Sequence, residues 1–467
     1  MPIQSVIIKN NINIYWSFKK YMNQEIINII GAGFAGCEAA WQIAQRDIKV
    51  NLYDMKPKKF SPAHKNKNFC ELVCSNSFKS NFTDSSSGLL KQEMRELGSL
   101  VLECADQTSV PAGGALAVDR EKFSELITEK IKNHKLINII SEEITDINNL
   151  KNNINIICTG PLTSDLLAEN IQKMCGGLLN FYDAAAPIVT FDSIDMNHAF
   201  FGSRYNKNNS DDYLNCPLNK EEYEIFYNEL INAERAELHD IDKNNNNKNN
   251  NIKVYEGCMP VEIMAKRGID TLRYGPMKPV GLRDENNNKF YAVVQLRKEN
   301  SSGSLYNIVG FQTNLKFKEQ KRVFSLIPAL KNLEIVRYGV MHRNTFIDSP
   351  RVLNRDYSFK NNENLFFAGQ ITGVEGYIES ACSGLVAGIN SVRKLKSQEK
   401  LIFEDISIIG ALSKYITDET VENFQPMGAN FGIISPLENI IKDKKMRYNK
   451  FAERSLEYIK NLKKIDI

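Results

Sequence analysis

Two periods of apolar residues alternate along this chain. Residues 26–30 (Ile-Ile-Asn-Ile-Ile) are short, β-branched and almost wholly apolar, the pattern of a strand buried on both faces of a sheet. Helix formers run from Cys37 to Ala44, and residues 48–53 return to strand character, so the spacing predicts a βαβ unit. Helical periodicity recurs over 89–102 and 120–134, with extended structure at 110–118 between them. A strand over 153–160 runs into Thr159-Gly160-Pro161, and a helix follows over 163–174. From Phe181 the character changes: short strands over 187–191, 291–296 and 308–311 mix with a charged helix over 220–238. The earlier pattern returns at 365–370, a strand ending in Gly369-Gln370, followed by a small-residue helix over 377–388. Residues 56–87 are polar, broken by Pro57 and Pro62, and read as an irregular functional loop.

The junction of the first strand and helix carries the clearest chemistry. Gly31-Ala32-Gly33-Phe34-Ala35-Gly36 completes G-x-G-x-x-G, and Asp54 stands at the end of the next strand. Each part has a job. Gly31 permits a tight turn, Gly33 lets backbone approach a pyrophosphate, and Gly36 lets helix pack on strand. The helix N-terminus offers unpaired N–H groups to phosphate, and Asp54 can accept from ribose hydroxyls. Thr159 and Gly160, and the second glycine-rich turn at Gly369, Gln370, Gly373 and Val374, are further cofactor candidates. A nucleotide met at residue 31 and again near 370 implies one domain built from both ends of the chain: 22–182 with 339–467, interrupted by an insertion over 183–338. That discontinuity is usual for FAD folds.

Composition narrows the partners. Lys and Arg total 59 against 56 Asp and Glu, a formal charge of +3, so any RNA contact must come from local patches. Two basic stretches stand out. One runs from Lys266 and Arg267 to Arg273. The other is residues 442–454, where Tyr448 or Phe451 would stack on a splayed base. No run approaches 18 uninterrupted apolar residues, so no membrane span is expected. Nine scattered cysteines fit a reducing, cytoplasmic setting. Cys70 and Cys74 lack a second ligand pair, so no metal is expected. Residues 1–21 lack the core of a secretory signal and read as an unstructured extension or a mis-assigned start. The Asn-rich stretch 240–251 reads as a solvated loop.

Several longer strings occur in a family order: Pro62-Ala-His64, Glu71-Leu-Val-Cys-Ser-Asn-Ser77, Gly88-Leu-Leu-Lys-Gln-Glu-Met94, residues 110–120, Glu256-Gly-Cys-Met-Pro-Val-Glu262, residues 275–281 and Gln425-Pro-Met-Gly-Ala-Asn-Phe431. With the glycine turns they resemble TrmFO, the folate- and FAD-dependent tRNA (uracil-5-)-methyltransferase family. Cys37 and Cys382 depart from it, standing where small residues are expected. The resemblance implies an α/β fold, a Rossmann-like FAD-binding domain of GidA/TrmFO type with an inserted smaller α/β domain. It implies FAD, methylenetetrahydrofolate as one-carbon donor, NADH or NADPH as reductant, and a T-arm tRNA substrate methylated at the T-loop uridine, position 54. No membrane or protein partner is implied. The wobble-uridine relative carries an extra C-terminal helical domain for which this chain is too short. A paralogue acting on ribosomal RNA, or an FAD-bound tRNA-binding protein without catalysis, stay open alternatives.

Carbon 5 of uracil is a poor nucleophile until a thiolate adds at carbon 6, and its proton must then leave to a base. In the light of the resemblance, Cys258 is the candidate nucleophile and Cys74 the partner thiolate and base, with the roles exchangeable. Lys79, Lys266 and Arg267 are candidates to stabilise a thiolate. The other cysteines at 37, 104, 158, 175, 216 and 382 read as structural. His64 and His342 are candidate substrate contacts, Glu375 and Tyr377 candidate flavin neighbours, and 424–431 a candidate wall of the active site.

Overall fold

The computed structural model describes residues 26–150, 153–204, 212–236, 259–283, 287–422 and 424–464. The expectations for 1–21, for the Asn-rich stretch and for Cys258 lie outside these residues.

The chain begins with β1 (Ile26–Ile30), α1 (Phe34–Ala44) and β2 (Lys49–Asp54). Next come β3 (Ser77–Ser80), α2 (Ser86–Glu96), α3 (Leu100–Gln107), β4 (Ser109–Val110), β5 (Ala115–Val118), α4 (Arg120–Asn133), β6 (Ile137–Ser141), β7 (Ile154–Ile157) and α5 (Asp165–Cys175). The middle of the chain supplies β8 (Leu179–Ala184), β9 (Ile188–Thr190), β10 (Phe200–Phe201), β11 (Tyr213–Leu218), α6 (Lys220–Asn232), α7 (Val261–Ala265), β12 (Ala292–Lys298), β13 (Leu305–Ile308), α8 (Phe317–Phe324), β14 (Ile335–Arg337) and β15 (Met341–Phe346). The last part adds β16 (Ser358–Phe359), β17 (Asn362–Phe367), α9 (Tyr377–Leu395), α10 (Ile408–Tyr415) and α11 (Lys444–Lys463).

A six-stranded sheet takes its strands from both ends of the chain, in the order β16-β17-β7-β1-β2-β6. All its pairs are parallel except β16 with β17. The connections diverge on either side of β1 and β7, so a switch point lies between them, the place where open α/β sheets bind ligands at the carboxyl ends of their strands. A second six-stranded sheet, β10-β11-β12-β13-β9-β14, is antiparallel and drawn from the chain between β7 and β17. The two-stranded ribbon β8–β15 joins them, with Leu179 opposite Phe346 and Ala184 opposite Met341. Each large sheet has its own apolar core.

The helix expected over 89–102 is two. Gly98 adopts a left-handed φ of 72°, and Ser99 caps the next helix by accepting from Leu102 N. A glycine stop followed by a serine cap outweighs continuous apolar spacing. Two buried carboxylates act as remote caps in the same region. Glu38 accepts from Ser99 Oγ (2.7 Å) and Val101 N (3.0 Å) at the start of α3. Glu93 accepts from Ile408 N (2.8 Å), Ile409 N (2.9 Å) and Ser455 Oγ at the start of α10. Such caps satisfy N–H groups that a buried helix end would leave unpaired.

Helices α1 and α9 pack closely because α9 presents glycines. A Cβ at Gly384 would sit 2.1 Å from Ala35 O, and one at Gly388 3.0 Å from the Ala39 Cα. Gly384→Ala is therefore expected to lower unfolding stability in a denaturant titration by about 1–3 kcal/mol, the ordinary cost of overpacking a filled interior. Within α2, Lys91 is buried and donates to Phe78 O and Ser87 O at 2.7 Å each. Burial pulls its ammonium down to about 7. The unfolded chain then binds more protons than the folded one between about pH 7 and the ordinary lysine range, so this group makes stability rise with pH across that window. Stability measured from pH 7 to 10 should rise less steeply in Lys91→Met than in the parent.

Candidate functional site

Three strands of the first sheet end at one cleft: β1 at Gly31, β7 at Thr159-Gly160 and β17 at Gly369-Gln370. The glycine turn is built as its spacing requires. Gly31 has φ 102°, and a Cβ there would lie 2.6 Å from Cys158 O. A Cβ at Gly36 would lie 1.8 Å from Gly31 O. Gly33 differs: its φ is −80° and an added Cβ would meet nothing within 4 Å. Nothing in the protein demands glycine at 33, whereas a phosphate lying over the α1 N-terminus would. Asp54 takes part in the turn as well as lining the cleft, accepting from Ala32 N and Lys56 N at 2.8 Å each. These residues fit a pyrophosphate-bearing dinucleotide.

Ala32, Phe34, Ala35, Thr159, Gly160, Gly369 and Gln370 line the cleft with Gly31, Gly33 and Asp54. Gly36, Gly373 and Val374 do not; they shape its wall from behind. Gly373 has φ 84° and faces the Phe424 ring. Val374 is buried and bridges to Met427. Glu375 N donates to Met427 O (2.8 Å) and Met427 N to Gly373 O (2.9 Å). The 424–431 segment, expected as an active-site wall, thus braces the second glycine turn from outside. His64 lines the cleft beside Ser61, with Nδ1 2.5 Å from the hydroxyl. Burial, with Lys56 nearby, lowers its pKa, so it is neutral at neutral pH.

A second cavity, of about 440 Å³, opens on the far side of a wall that both spaces share. Val73, Pro161, Leu162, Gln370 and Tyr377 belong to both. Cys74 lines the second. Its Sγ lies 3.0 Å from Tyr377 Oη, and its N–H donates to that same oxygen at 2.8 Å. Burial, with Cys74 beside it, raises the Tyr377 pKa well above its ordinary value, so the phenol keeps its proton and can donate it to a thiolate. The Tyr377 ring also stacks on Phe34, with centroids 4.7 Å apart.

The loop carrying Cys74 is gripped by three arginines. Arg120 donates to Leu72 O and, at 3.4 Å, to Cys74 O. Arg337 donates to Val73 O. Arg297 donates to Ser75 Oγ (2.8 Å) and Asn76 Oδ1 (3.0 Å). Burial opposes the Arg120 charge, but Glu299 at 2.9 Å and the neighbouring Tyr377 and Cys74 raise its pKa. Two of these arginines come from the antiparallel sheet, so both sheets hold one loop. The Arg120 charge is felt by Cys74. Lys79 also lines the cavity and pairs with buried Glu379 at 3.1 Å.

The remaining candidates are spread out. Lys266 and Arg267 are exposed after α7. Arg273 pairs with Asp270 (2.6 Å), donates to Tyr291 O (3.0 Å) and lies over the Tyr291 ring at 3.7 Å. His342 stands on β15 opposite Asp183. Phe451, expected as a base-stacking residue, is buried against Phe431 at 5.5 Å, because the apolar side of α11 packs on the core. The described residue next to Cys258 is Met259, buried, and Val261 N donates to Gln312 O at 2.7 Å; Gln312 lines the second cavity. Sequence reasoning gave no role to Arg120, although it ends the 110–120 string, and missed Arg297, Arg337, Asn307, Gln312 and Asn344, which no motif marks. Burial pushes Cys104, Cys175 and Cys216 up to about 12 and raises Cys70, Cys158 and Cys382, as suits structural thiols. Among the described residues, no group of His, Cys, Asp and Glu could hold a metal ion, and no helix is long and apolar enough to cross a membrane.

Fold and site together define an α/β dinucleotide-binding protein of Rossmann-like type, with an antiparallel insertion that closes a thiol-bearing second cavity against the cofactor cleft. The model of the family described as "Glucose inhibited division protein A" matches residues 26–399. A methylenetetrahydrofolate--tRNA-(uracil-5-)-methyltransferase TrmFO from Acetivibrio thermocellus is 58% identical over 93% of this chain and 98% of that protein. Its counterpart from Fusobacterium nucleatum is 55% identical over 94% and 99%. Among solved structures, Aquifex aeolicus GidA superposes with a TM-score of 0.65 over 95% of this chain and 76% of that one, at 17% identity, a likeness of fold. The chain belongs to the glucose-inhibited division protein A family, on its TrmFO branch.

Gly33→Ala separates ligand from scaffold. Apoprotein stability should hold or rise slightly, since the backbone angles suit alanine. FAD retention, followed by flavin absorbance on gel filtration, should weaken on the order of tenfold or more as the methyl meets the phosphate.

Proposed function

We propose that this protein transfers a one-carbon unit from methylenetetrahydrofolate to carbon 5 of the T-loop uridine of tRNA, position 54, leaving 5-methyluridine. The observation that carries this reading is the Cys74 thiol in the second cavity, hydrogen-bonded to Tyr377 of the wall shared with the dinucleotide cleft, on a loop held by Arg120, Arg297 and Arg337. Bound in the first cleft, FAD supplies the two electrons the new methyl group needs, drawn from NADH or NADPH.

The roles of the side chains follow from the chemistry. The Cys258 thiolate bonds to carbon 6 of the uracil, which pushes electrons to carbon 5 and lets it attack the folate methylene carbon. The carbon 5 proton passes to the Cys74 thiolate as the bond between the methylene carbon and the folate nitrogen breaks, releasing tetrahydrofolate and leaving an exocyclic methylene on the ring. Hydride added to that methylene carbon then expels Cys258 from carbon 6 and restores the ring double bond. The Tyr377 hydroxyl, 3.0 Å from the sulfur, and the Arg120 charge favour the anionic form of Cys74 before it takes that proton. Carbon, hydride and protons then balance as tetrahydrofolate plus oxidised nicotinamide plus methylated base. Lys266, Arg267 and Arg273 are phosphate-contact candidates on the insertion, and His64 and His342 candidates for the substrate.

The test uses purified protein, unmodified tRNA transcript, methylenetetrahydrofolate, FAD and NADH or NADPH, with 5-methyluridine read by nucleoside mass spectrometry. The parent should make product on tRNA. Cys74→Ala should slow turnover by roughly 10²–10⁴-fold, the usual worth of a positioned base, and Cys258→Ala should abolish it. Product on ribosomal RNA alone would replace the substrate, and none on either would overturn the reading.

A further inference from the structure

Asn307 sits on β13, opposite Arg297 of β12 in the ladder, and lines the cavity that holds Cys74. Its residue exposure is 3%. Its Nδ2 is sealed from solvent, yet has no hydrogen-bond partner. A buried carboxamide is normally paired, because an unpaired donor forfeits its hydration without return. Two polar side chains of the adjoining strand are paired, Arg297 with Ser75 and Asn76 and Gln295 with Asn215. Asn307 also borders the cavity that holds Cys74, so a ring seated there can supply the partner its side chain lacks.

The substrates of the proposed reaction narrow what it meets, and the inference rests on that reading. Uracil and the pyrimidinone ring of a tetrahydropterin share one edge: a ring carbonyl at position 4 beside an N–H at position 3. A carboxamide is its complement, donating through Nδ2 to the carbonyl oxygen and accepting through Oδ1 from the N–H. We propose that Asn307 is a specificity-determining residue that reads the lactam edge of the ring entering the Cys74 cavity. If that ring is the target uracil, the donor also lies at the oxygen on which charge collects when a thiolate adds at carbon 6, and it then stabilises the reaction as well as the complex.

Asn307→Ala and Asn307→Asp test this in the FAD-loaded protein. Melting temperature and flavin content should match or exceed the parent in the alanine variant, because no group in the protein needs the amide; a residue with only a structural role would instead destabilise on removal. Against tRNA transcript and methylenetetrahydrofolate, kcat/KM should fall roughly tenfold or more in Ala and further in Asp, which sets an acceptor against the ring carbonyl. A fall in kcat/KM for tRNA with folate KM unchanged assigns the edge to uracil; a raised folate KM with tRNA unchanged assigns it to the pterin. Equilibrium binding of tetrahydrofolate and of a T-arm hairpin to parent and variants judges the residue separately from turnover. A parent that makes no 5-methyluridine would sink the proposed function, while variant binding weaker than parent would still support Asn307 as a ring reader. Variants that keep both binding constants and both kinetic constants within twofold, or that lose stability in proportion to activity, would overturn it.

Discussion

The close approach of α1 and α9 governs the rest of the molecule. Gly384 and Gly388 on one helix let the backbone of Ala35 and Ala39 on the other come into contact. Both helices begin at glycine turns, one after β1 and one after β17, so bringing them together sets the two turns side by side at the carboxyl ends of the sheet. The stack of Phe34 on Tyr377 is the direct product, since each ring opens its helix. Tyr377 in turn holds the Cys74 backbone and faces its sulfur. A packing contact between small residues thereby positions a candidate reactive thiol at the edge of a cofactor cleft.

The second constraint is electrostatic. In the loop over Leu72–Asn76 the carbonyls of Leu72, Val73 and Cys74 accept from guanidinium donors, and Asn76 ties the loop's end to β5 and β12. Arg120 belongs to the first part of the chain, whereas Arg297 and Arg337 come from the antiparallel sheet. Asp119 repeats this bridging, capping α4 through Lys122 N and accepting from Ser301 N and Oγ. Charged hydrogen bonds of this kind are stronger than neutral ones and fix geometry. Here one of the donors, Arg120, also donates to the Cys74 carbonyl while paired with Glu299.

Packing and function pull apart at a few positions. Gly31 and Gly36 are required by the protein's own backbone, but Gly33 is required by nothing in it. Arg297 is fully engaged in holding the loop, while Asn307 beside it has an unpaired amide. Residues that the fold does not explain are the ones that point to ligands.

The sequence by itself determined the local elements and the first cleft. The βαβ unit was legible because β-branched runs, glycine spacing and a terminal acid are all read within thirty residues, and each answers a short-range steric need. The return of the glycine-rich pattern near residue 370 announced a sheet assembled from both chain ends. Helix breaks were less legible: apolar spacing ran through Gly98, and only a left-handed glycine followed by a capping serine ended the helix. Tyr448 or Phe451 of α11 read as a stacking surface, but Phe451 is claimed by the core and Tyr448 is half-buried against Phe431, since amphipathic spacing does not say which neighbour covers a face. Tertiary structure alone decided the electrostatic setting of Cys74. Its cations, Arg120, Arg297 and Arg337, lie 46, 223 and 263 positions further along the chain, and no sequence pattern couples residues whose meeting depends on how two sheets are joined. The same holds for Asn307, whose meaning is a missing partner, and a missing partner exists only once every neighbour has been placed.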